Sequence, residues 1–121
     1  MLGMDGYKGL KVYEKSYRLA LDVYGITKSL PKEEMYGLIS QMRRASSSIP
    51  INIAEGYGRK PNVKDYRHFL VIAQGSANEM QVWLDFCKDL GHISVDVYQK
   101  IYDGYTETLK MISGLIKACN E

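Results

Sequence analysis

The sequence predicts an all-α protein, an antiparallel up-down-up-down four-helix bundle. Four segments repeat apolar residues at spacings of three and four, no stretch shows sustained apolar–polar alternation, and the breaks between segments are short. Short connections place consecutive helices side by side and antiparallel. The 121 residues, 45% of them hydrophobic, are enough for one domain with a single core. We expect one domain, residues 1–121, with helices at about 9–29, 32–57, 63–90 and 94–119.

The breaks carry matching start and stop signals. Pro31 follows the end of the first helix and can serve as the first residue of the second. Asn62 is a good N-cap for the third helix, with Asp65 three residues later in a position like that of a capping box. Gly91 ends the third helix, and Ser94 is the expected N-cap of the fourth.

The first and fourth helices carry more apolar residues than one core-facing stripe needs. Either the additional stripe lines a wide core, or it marks a second buried surface and hence a homo-oligomer. On the first helix the main stripe is Leu10, Tyr13, Tyr17, Ala20 and Tyr24, and the additional one is Val12, Leu19, Val23 and Ile26. On the fourth helix the additional stripe is Val97, Ile101, Met111 and Leu115.

The segment Gln41–Arg59, QMRRASSSIPINIAEGYGR, is the most informative part of the chain. It combines adjacent arginines, a proline inside a helical pattern (Pro50) and a carboxylate near the helix end (Glu55). An ordinary amphipathic helix needs none of these features. They indicate a helix that is specialised for recognition or assembly rather than for chemistry.

A hairpin of the second and third helices that turns near residues 60 and 61 sets the facing pairs. It puts Ala45 opposite Ser76 and Glu79 one step from Arg44, which predicts an arginine–glutamate pair. Glu55 falls level with Arg67, a second possible pair. Two interpretations stay open. In the first, these residues form a polar network that is buried in the bundle, where it fixes helix register, or in a subunit interface. In the second, they contact a ligand or partner. The residues concerned are Arg44, Asn52, Glu55 and Glu79.

No catalytic constellation is present in the sequence. His68 belongs to a single Asp-x-x-His at a helix start, whereas di-iron bundles need a Glu-x-x-His twice with further inward carboxylates. Cys87 and Cys119 form no C-x-x-C motif and fall out of register for a disulfide. The glycines form no phosphate-binding loop. We therefore expect no enzyme activity, no cofactor and no metal site.

Targeting signals are also missing from the sequence. The start, MLGMDGYKG, contains no apolar segment of the kind found in a secretory signal. No apolar run approaches the roughly 20 residues that cross a bilayer. We expect a cytoplasmic protein that does not associate with membranes.

The formal net charge is only +2, but the charges are unevenly distributed. Basic residues cluster around the predicted hairpin, with Tyr57 and Tyr66 between them, and such a cluster can track phosphates and stack unpaired bases. The alternative is an ordinary solvated face. The hairpin cluster is Arg59, Lys60, Lys64, Arg67 and His68, and a second group along the first helix is Lys8, Lys11, Lys15 and Arg18.

The quoted residues resemble a known family. The runs Pro31-Lys-Glu-Glu, Gln41-Met-Arg-Arg-Ala and Ser48-Ile-Pro-x-Asn-Ile-Ala-Glu-Gly-Tyr-Gly-Arg59, with Ala73-x-Gly-Ser-x-x-Glu79, are similar to the bacterial four-helix-bundle proteins encoded in intervening sequences of 23S ribosomal RNA genes, often labelled S23 ribosomal protein. This resemblance implies a ring-forming bundle, a pentamer. The family is also similar in fold to the accessory proteins of diversity-generating retroelements, basic rings that bind reverse transcriptase and nucleic acid. Those proteins are much more basic than this chain.

These observations lead to one functional hypothesis and one alternative. The hypothesis is a non-enzymatic homo-oligomer, a pentamer by the resemblance, that binds structured RNA or a nucleic-acid-processing protein. Its alternative is a protein–protein interaction scaffold without nucleic-acid affinity. The residues expected to contact nucleic acid are Arg43, Arg59, Lys60, Lys64 and Arg67.

Overall fold

The computed structural model describes residues 6–120, and four long helices account for most of them. They are α1 (Lys11–Lys28), α2 (Ser40–Gly58), α3 (Val63–Asp89) and α4 (Val95–Cys119), with a short 3-10 helix (Gly6–Gly9) before α1. Each helix packs against the next in the chain, and α1 closes the bundle against α4. Residues 6–120 contain no strand. The predicted all-α bundle is confirmed.

The connection between α1 and α2 is less regular than the sequence predicted. A 3-10 turn (Lys32–Glu34) follows Pro31, and a π-helical turn (Met35–Ile39) then leads into α2. Pro31 itself is extended, with φ −57° and ψ 141°. The wider π turn lets the adjacent Leu38 and Ile39 both reach the core, at 6% and 3% exposure. The regular helix therefore begins later than the sequence pattern indicated.

The caps form as predicted. The backbone N–H of Asp65 donates to Asn62 Oδ1 at 3.1 Å, and the N–H of Val97 donates to Ser94 Oγ at 3.1 Å. Gly91 ends the run after α3 with φ +78°, a left-handed conformation that glycine adopts without a steric penalty. These local signals fix where α3 and α4 begin, and so determine which side chains lie at each end of the bundle.

On α1 both apolar stripes contribute to the core, and only part of the main stripe faces outward. Val12, Leu19 and Val23 are buried in the core, whereas Tyr17 and Tyr24 are 47% and 39% exposed. The aliphatic side chains have no polar atom to satisfy, while each tyrosine hydroxyl keeps its hydrogen bonds at the surface. The prediction that this stripe lines the core is therefore wrong for Tyr17 and Tyr24, whereas the rest of the stripe does pack in or against the core: Leu10, Tyr13 and Ala20.

Small residues bring α2 and α3 close together. Ala45, Ser46, Ala73 and Ala77 are buried between larger core residues, and a Cβ placed on Gly56 would lie 2.9 Å from Phe69 Cβ. Close approach of two helix backbones requires small side chains at the crossing. The α2–α3 pair consequently makes the most extensive contact between helices in the described part of the chain.

The register of this pair differs from the predicted one by about three residues. Ser76 Oγ lies 3.0 Å from Ser48 Oγ, rather than facing Ala45. Helical side chains tilt toward the N-terminus, so each covers a point about one position before its own Cα. In an antiparallel pair the offsets of the two helices add to about two residues. This sum accounts for most of the three-residue difference in register.

The close approach at Gly56 predicts opposite effects for two glycine substitutions. Gly56→Ala should destabilise the protein by about 1–3 kcal/mol, because the new methyl group collides with Phe69 Cβ and with the Tyr66 ring. Gly114→Ala, on α4 with open space around it, should stabilise by about 0.5–1 kcal/mol through its higher helix propensity. Urea denaturation of both variants measures the difference. Two effects of the same sign would contradict the packing described here.

Candidate nucleic-acid interface

The end of the bundle formed by residues 6–14, 55–67 and 116–120, the basic end, carries an excess of cations. The start of α1, the α2–α3 hairpin and the end of α4 all meet there. The acidic residues of these ranges are Glu14, Glu55 and Asp65. The cations are Lys8, Lys11, Arg59, Lys60, Lys64, Arg67 and Lys117. Residues 25–43 and 86–98, at the opposite end, hold equal numbers of Lys/Arg and Asp/Glu.

Most of the cations at the basic end are not neutralised by a carboxylate. Arg59 Nη1 lies 3.9 Å from Asp65 Oδ2, and both side chains are about half exposed. No other cation of this end has a carboxylate within 4 Å among residues 6–120. Arg59 also lies over the Phe69 ring at 5.1 Å, and Lys60 lies over the Tyr57 ring at 5.2 Å. Aromatic rings and cations thus alternate on this surface.

Four of the five predicted contact residues come together at this end. Lys64 is exposed, and Arg67 donates from Nε to Asn120 Oδ1 at 3.1 Å, beside Arg59 and Lys60 of the hairpin. The possible ion pair between Glu55 and Arg67 does not form, because Glu55 instead lies at the edge between α1 and α2.

Arg43 lies apart from the other four. Its Nε donates to Thr27 Oγ1 at 2.9 Å, and its guanidinium stacks over the Tyr24 ring at 4.9 Å. These contacts hold Arg43 against the end of α1 that is distant from the basic end. No carboxylate lies within 4 Å of it in the part of the chain that the structure describes.

The predicted pair of Arg44 and Glu79 forms, with Arg44 Nη2 at 3.4 Å from Glu79 Oε2. It is not part of a buried network, because the two side chains are 66% and 36% exposed. Trp83 Nε1 also donates to Glu79 Oε2, at 2.9 Å, while Asn52 donates separately to the Ser48 carbonyl at 2.8 Å.

Sterics account for the exposure of the Arg44–Glu79 pair. The small residues that bring α2 and α3 together leave no space between the helices for a guanidinium, so Arg44 lies at the outer edge of the crossing. Glu55, also exposed, joins none of these contacts. The interpretation of Arg44, Asn52, Glu55 and Glu79 as one buried network within the subunit is therefore wrong, whereas their place in a subunit interface stays a prediction.

An apolar groove runs between α1 and α2, and we name it the α1–α2 groove. It encloses about 440 Å³, and Tyr17, Leu21 and Ile51 in its walls are 47%, 51% and 55% exposed. Tyr13 and Tyr24 extend the aromatic wall, so the tyrosines of α1 form one side of the groove. The sequence contained this signal in the second apolar stripe of α1, but not which residues face outward.

A second exposed apolar surface, the α3 ridge, lies on another face of the bundle. It consists of Val71, Val82 and Phe86, which are 40%, 52% and 49% exposed. By helical spacing, Asp89 lies on the same face of α3, at the end of this ridge. Single exposed apolar residues are common on protein surfaces, but here exposed apolar side chains are grouped on two faces of one small domain. Such grouping indicates interaction surfaces.

The titratable groups in the bundle form no reactive cluster. Burial, and secondarily Glu34, raises the pKa of the Cys87 thiol to about 11, and its Sγ lies 3.4 Å from Met42 Sδ. Burial also raises the pKa of Tyr105, whose hydroxyl has no hydrogen-bond partner within residues 6–120. Cys87 and Cys119 are both free thiols. Across residues 6–120, no three histidine, cysteine or acidic side chains are grouped to hold a metal ion.

The exposure of the Arg44–Glu79 pair predicts a modest cost for its loss. Glu79→Ala should destabilise by about 1–2 kcal/mol, chiefly because the Trp83 indole N–H loses its acceptor. Glu79→Gln keeps an acceptor for Trp83 and should cost at most about 1 kcal/mol, because an exposed ion pair contributes little. Urea denaturation distinguishes the two. A loss of several kcal/mol in the glutamine variant would restore the interpretation as a buried ion pair.

None of the helices within residues 6–120 is both long and apolar enough to span a lipid bilayer.

Among curated proteins, none matches the chain. One similar solved structure is a protein of unknown function from the S23 ribosomal protein family of Bacteroides thetaiotaomicron. It is 29% identical, with a TM-score of 0.80, and the alignment covers 88% of this chain and 95% of that one. Neither this relative nor the family indicates an enzymatic activity. Residues 8–114 match the 23S rRNA-intervening sequence proteins, and the chain belongs to that family.

Proposed function

We propose that this protein is a homo-oligomeric helical bundle that binds structured RNA through its basic end. The observation that carries the proposal is the excess of cations over carboxylates at that end, in a chain whose formal net charge is only +2. Cations without carboxylate partners bind a polyanion favourably, because its condensed counterions are released. The aromatic rings beside Arg59 and Lys60 add surfaces on which bases can stack.

The α1–α2 groove and the α3 ridge support self-association. One surface is concave and the other is a ridge along one helix, so a second copy can seat its ridge in the groove of the first. Because the two surfaces lie on different faces, the contact is heterologous and closes into a ring when the rotation permits. A ring of five copies is what the resemblance to the family implies.

Charge complementarity favours the α3 ridge of a second copy as the occupant of the α1–α2 groove. Arg43 stands at one end of the groove and Glu55 at the other. Along the α3 ridge, Asp89 lies toward the end where Arg43 stands. Subunits with parallel axes would therefore bring these unlike charges together at that end.

Such an assembly would multiply the positive potential of each basic end. Subunits related by rotation about an axis along the bundle present the same end on the same side of the ring. A modest patch on one nearly neutral subunit then becomes a continuous basic surface, with a gain in avidity for an extended polyanion.

The alternative function is a protein–protein interaction scaffold without nucleic-acid affinity. The exposed apolar groove favours it, because such a surface can accept a foreign helix as readily as a second copy. The salt dependence of RNA binding discriminates between the two functions. Affinity that falls steeply as salt is added supports the RNA-binding function, and no binding at low salt supports the scaffold.

Charge reversal tests the role of the basic end. The double variant Lys60→Glu/Lys64→Glu should bind a structured RNA at least about tenfold more weakly at low salt, with a shallower salt dependence, because it removes cations that neutralise phosphates. The matched control Lys28→Glu/Lys32→Glu changes the net charge equally at the opposite end, and should bind nearly as well as wild type. Fluorescence anisotropy across a salt series measures both. Equal losses in the two double variants would show that total charge, not the basic end, determines binding.

A charge placed in the α1–α2 groove tests the assembly. Leu21→Glu should dissociate the oligomer, since it places a carboxylate on an apolar surface that the second copy would bury. Val95→Glu is the control, because Val95 is 66% exposed at the start of α4 and outside both apolar surfaces. Size-exclusion chromatography should show a smaller species for Leu21→Glu alone. An unchanged elution volume for that variant would exclude the groove as the interface.

A further inference from the structure

A second cavity lies at the basic end, and Lys60 of the proposed RNA-binding surface is in its wall. It encloses about 370 Å³ where the entry to α1, the start of α3 and the end of α4 meet. Its walls are Leu10, Val63, Tyr66, Leu115, Ala118 and Cys119, with Lys60 as its charged member. The volume lies near the lower end of the range for small-ligand sites, about 300–1,000 Å³.

The walls of this cavity suit a flat apolar group with a polar edge. Val63 and Leu115 are aliphatic, and the ring of Tyr66 contributes an aromatic surface with a hydroxyl. Tyr66 is held firmly, because it is only 6% exposed and packs against Gly56 of α2. Because so little of its ring is exposed, Tyr66 forms a rigid inner wall, and a base in the cavity would rest mainly against the aliphatic Val63 and Leu115.

Three cations lie beside the same cavity in the fold or in the sequence. Lys60 is in its wall, and Lys64 and Arg67 are the chain neighbours of the wall residues Val63 and Tyr66. The Arg67 guanidinium is held by its Nε hydrogen bond to Asn120, the residue after Cys119. Its terminal amino groups make no hydrogen bond to residues 6–120, so they can reach a phosphate beside the cavity.

We propose that this cavity is a nucleobase pocket: it takes one unpaired base of a bound RNA while Lys60, Lys64 and Arg67 hold the flanking phosphates. The inference rests on the proposed RNA-binding function and makes it more specific. An apolar pocket with a cationic rim matches a nucleotide, whose base is flat and largely apolar on its faces and whose phosphate is anionic. A base inside a duplex is stacked and paired on both sides, so the protein should prefer loops and single strands to blunt duplex.

The direct test compares three fluorescently labelled RNA probes on the wild-type protein at one salt concentration. The first is a short single strand, the second has the same length and phosphates but an abasic residue at each position, and the third is the first strand in a blunt duplex. We expect the abasic strand and the duplex each to bind about tenfold more weakly than the single strand, since stacking of one base accounts for a factor of this size.

A pocket-filling variant tests the location. Ala118→Trp places an indole in the cavity from an exposed position at the end of α4, and should lower single-strand affinity to the level of the abasic strand. Gln99→Trp adds the same side chain at an exposed position near the other end of α4, and should bind like wild type. Light scattering verifies that both variants keep the mass of the wild-type assembly. The abasic comparison needs no variant, so the test holds even if Ala118→Trp does not fold.

The outcomes separate the pocket from the wider function. If all three probes bind wild type equally well, the base pocket is wrong, whereas RNA binding by the basic end remains. Full single-strand affinity in a folded Ala118→Trp variant would also exclude this cavity. If none of the probes, nor a folded RNA, binds at low salt, the proposed RNA-binding function fails and the pocket fails with it.

Discussion

The close packing of α2 against α3 is the constraint on which the rest of this structure depends. Small side chains at the crossing, among them Ala45 and Ala77, let the two backbones approach, and Gly56 lies so close to Phe69 that it has no space for a methyl group. Because space inside the crossing is limited, the long arginine side chains of α2 lie at its edges, whereas the small Ser46 fits inside. Arg44 lies exposed beside Glu79, and Arg43 extends the other way onto Thr27 and Tyr24 of α1. The same helix pair thus determines what each face of the bundle presents.

The basic end follows from this arrangement and from chain topology. A tight hairpin between α2 and α3 brings Arg59 and Lys60 beside Lys64 and Arg67. Antiparallel packing then adds the start of α1 and the end of α4, which contribute further lysines, whereas the opposite end has balanced charge. A chain of formal net charge +2 therefore has a strongly asymmetric surface, which net charge alone would not reveal. The proposed RNA binding and the proposed base pocket both depend on that asymmetry.

Much of the fold could be predicted from the sequence because local physics determines it. The spacing of apolar residues, the N-caps Asn62 and Ser94, and the short connections each indicate the same bundle.

The side chains were harder to place, because burial depends on neighbours that the sequence does not specify. Tyr17 and Tyr24 of α1 have the spacing of a core stripe, but they face outward since valine and leucine occupy the interior. The Arg44–Glu79 pair was predicted correctly, but its exposure was not, because that depends on how closely α2 and α3 approach. The hairpin cations were identifiable from the sequence, whereas the cavity beside them required the relative positions of three helix ends.

The central claim is that the protein assembles through its apolar surfaces and binds RNA with its shared basic end. Light scattering of the protein, alone and then with a structured RNA fragment at low and at high salt, tests both parts in one measurement. We expect a fixed multiple of the 13.8 kDa chain that gains the mass of RNA at low salt and loses it at high salt. A monomer, or an oligomer whose mass does not change with RNA at low salt, would contradict it.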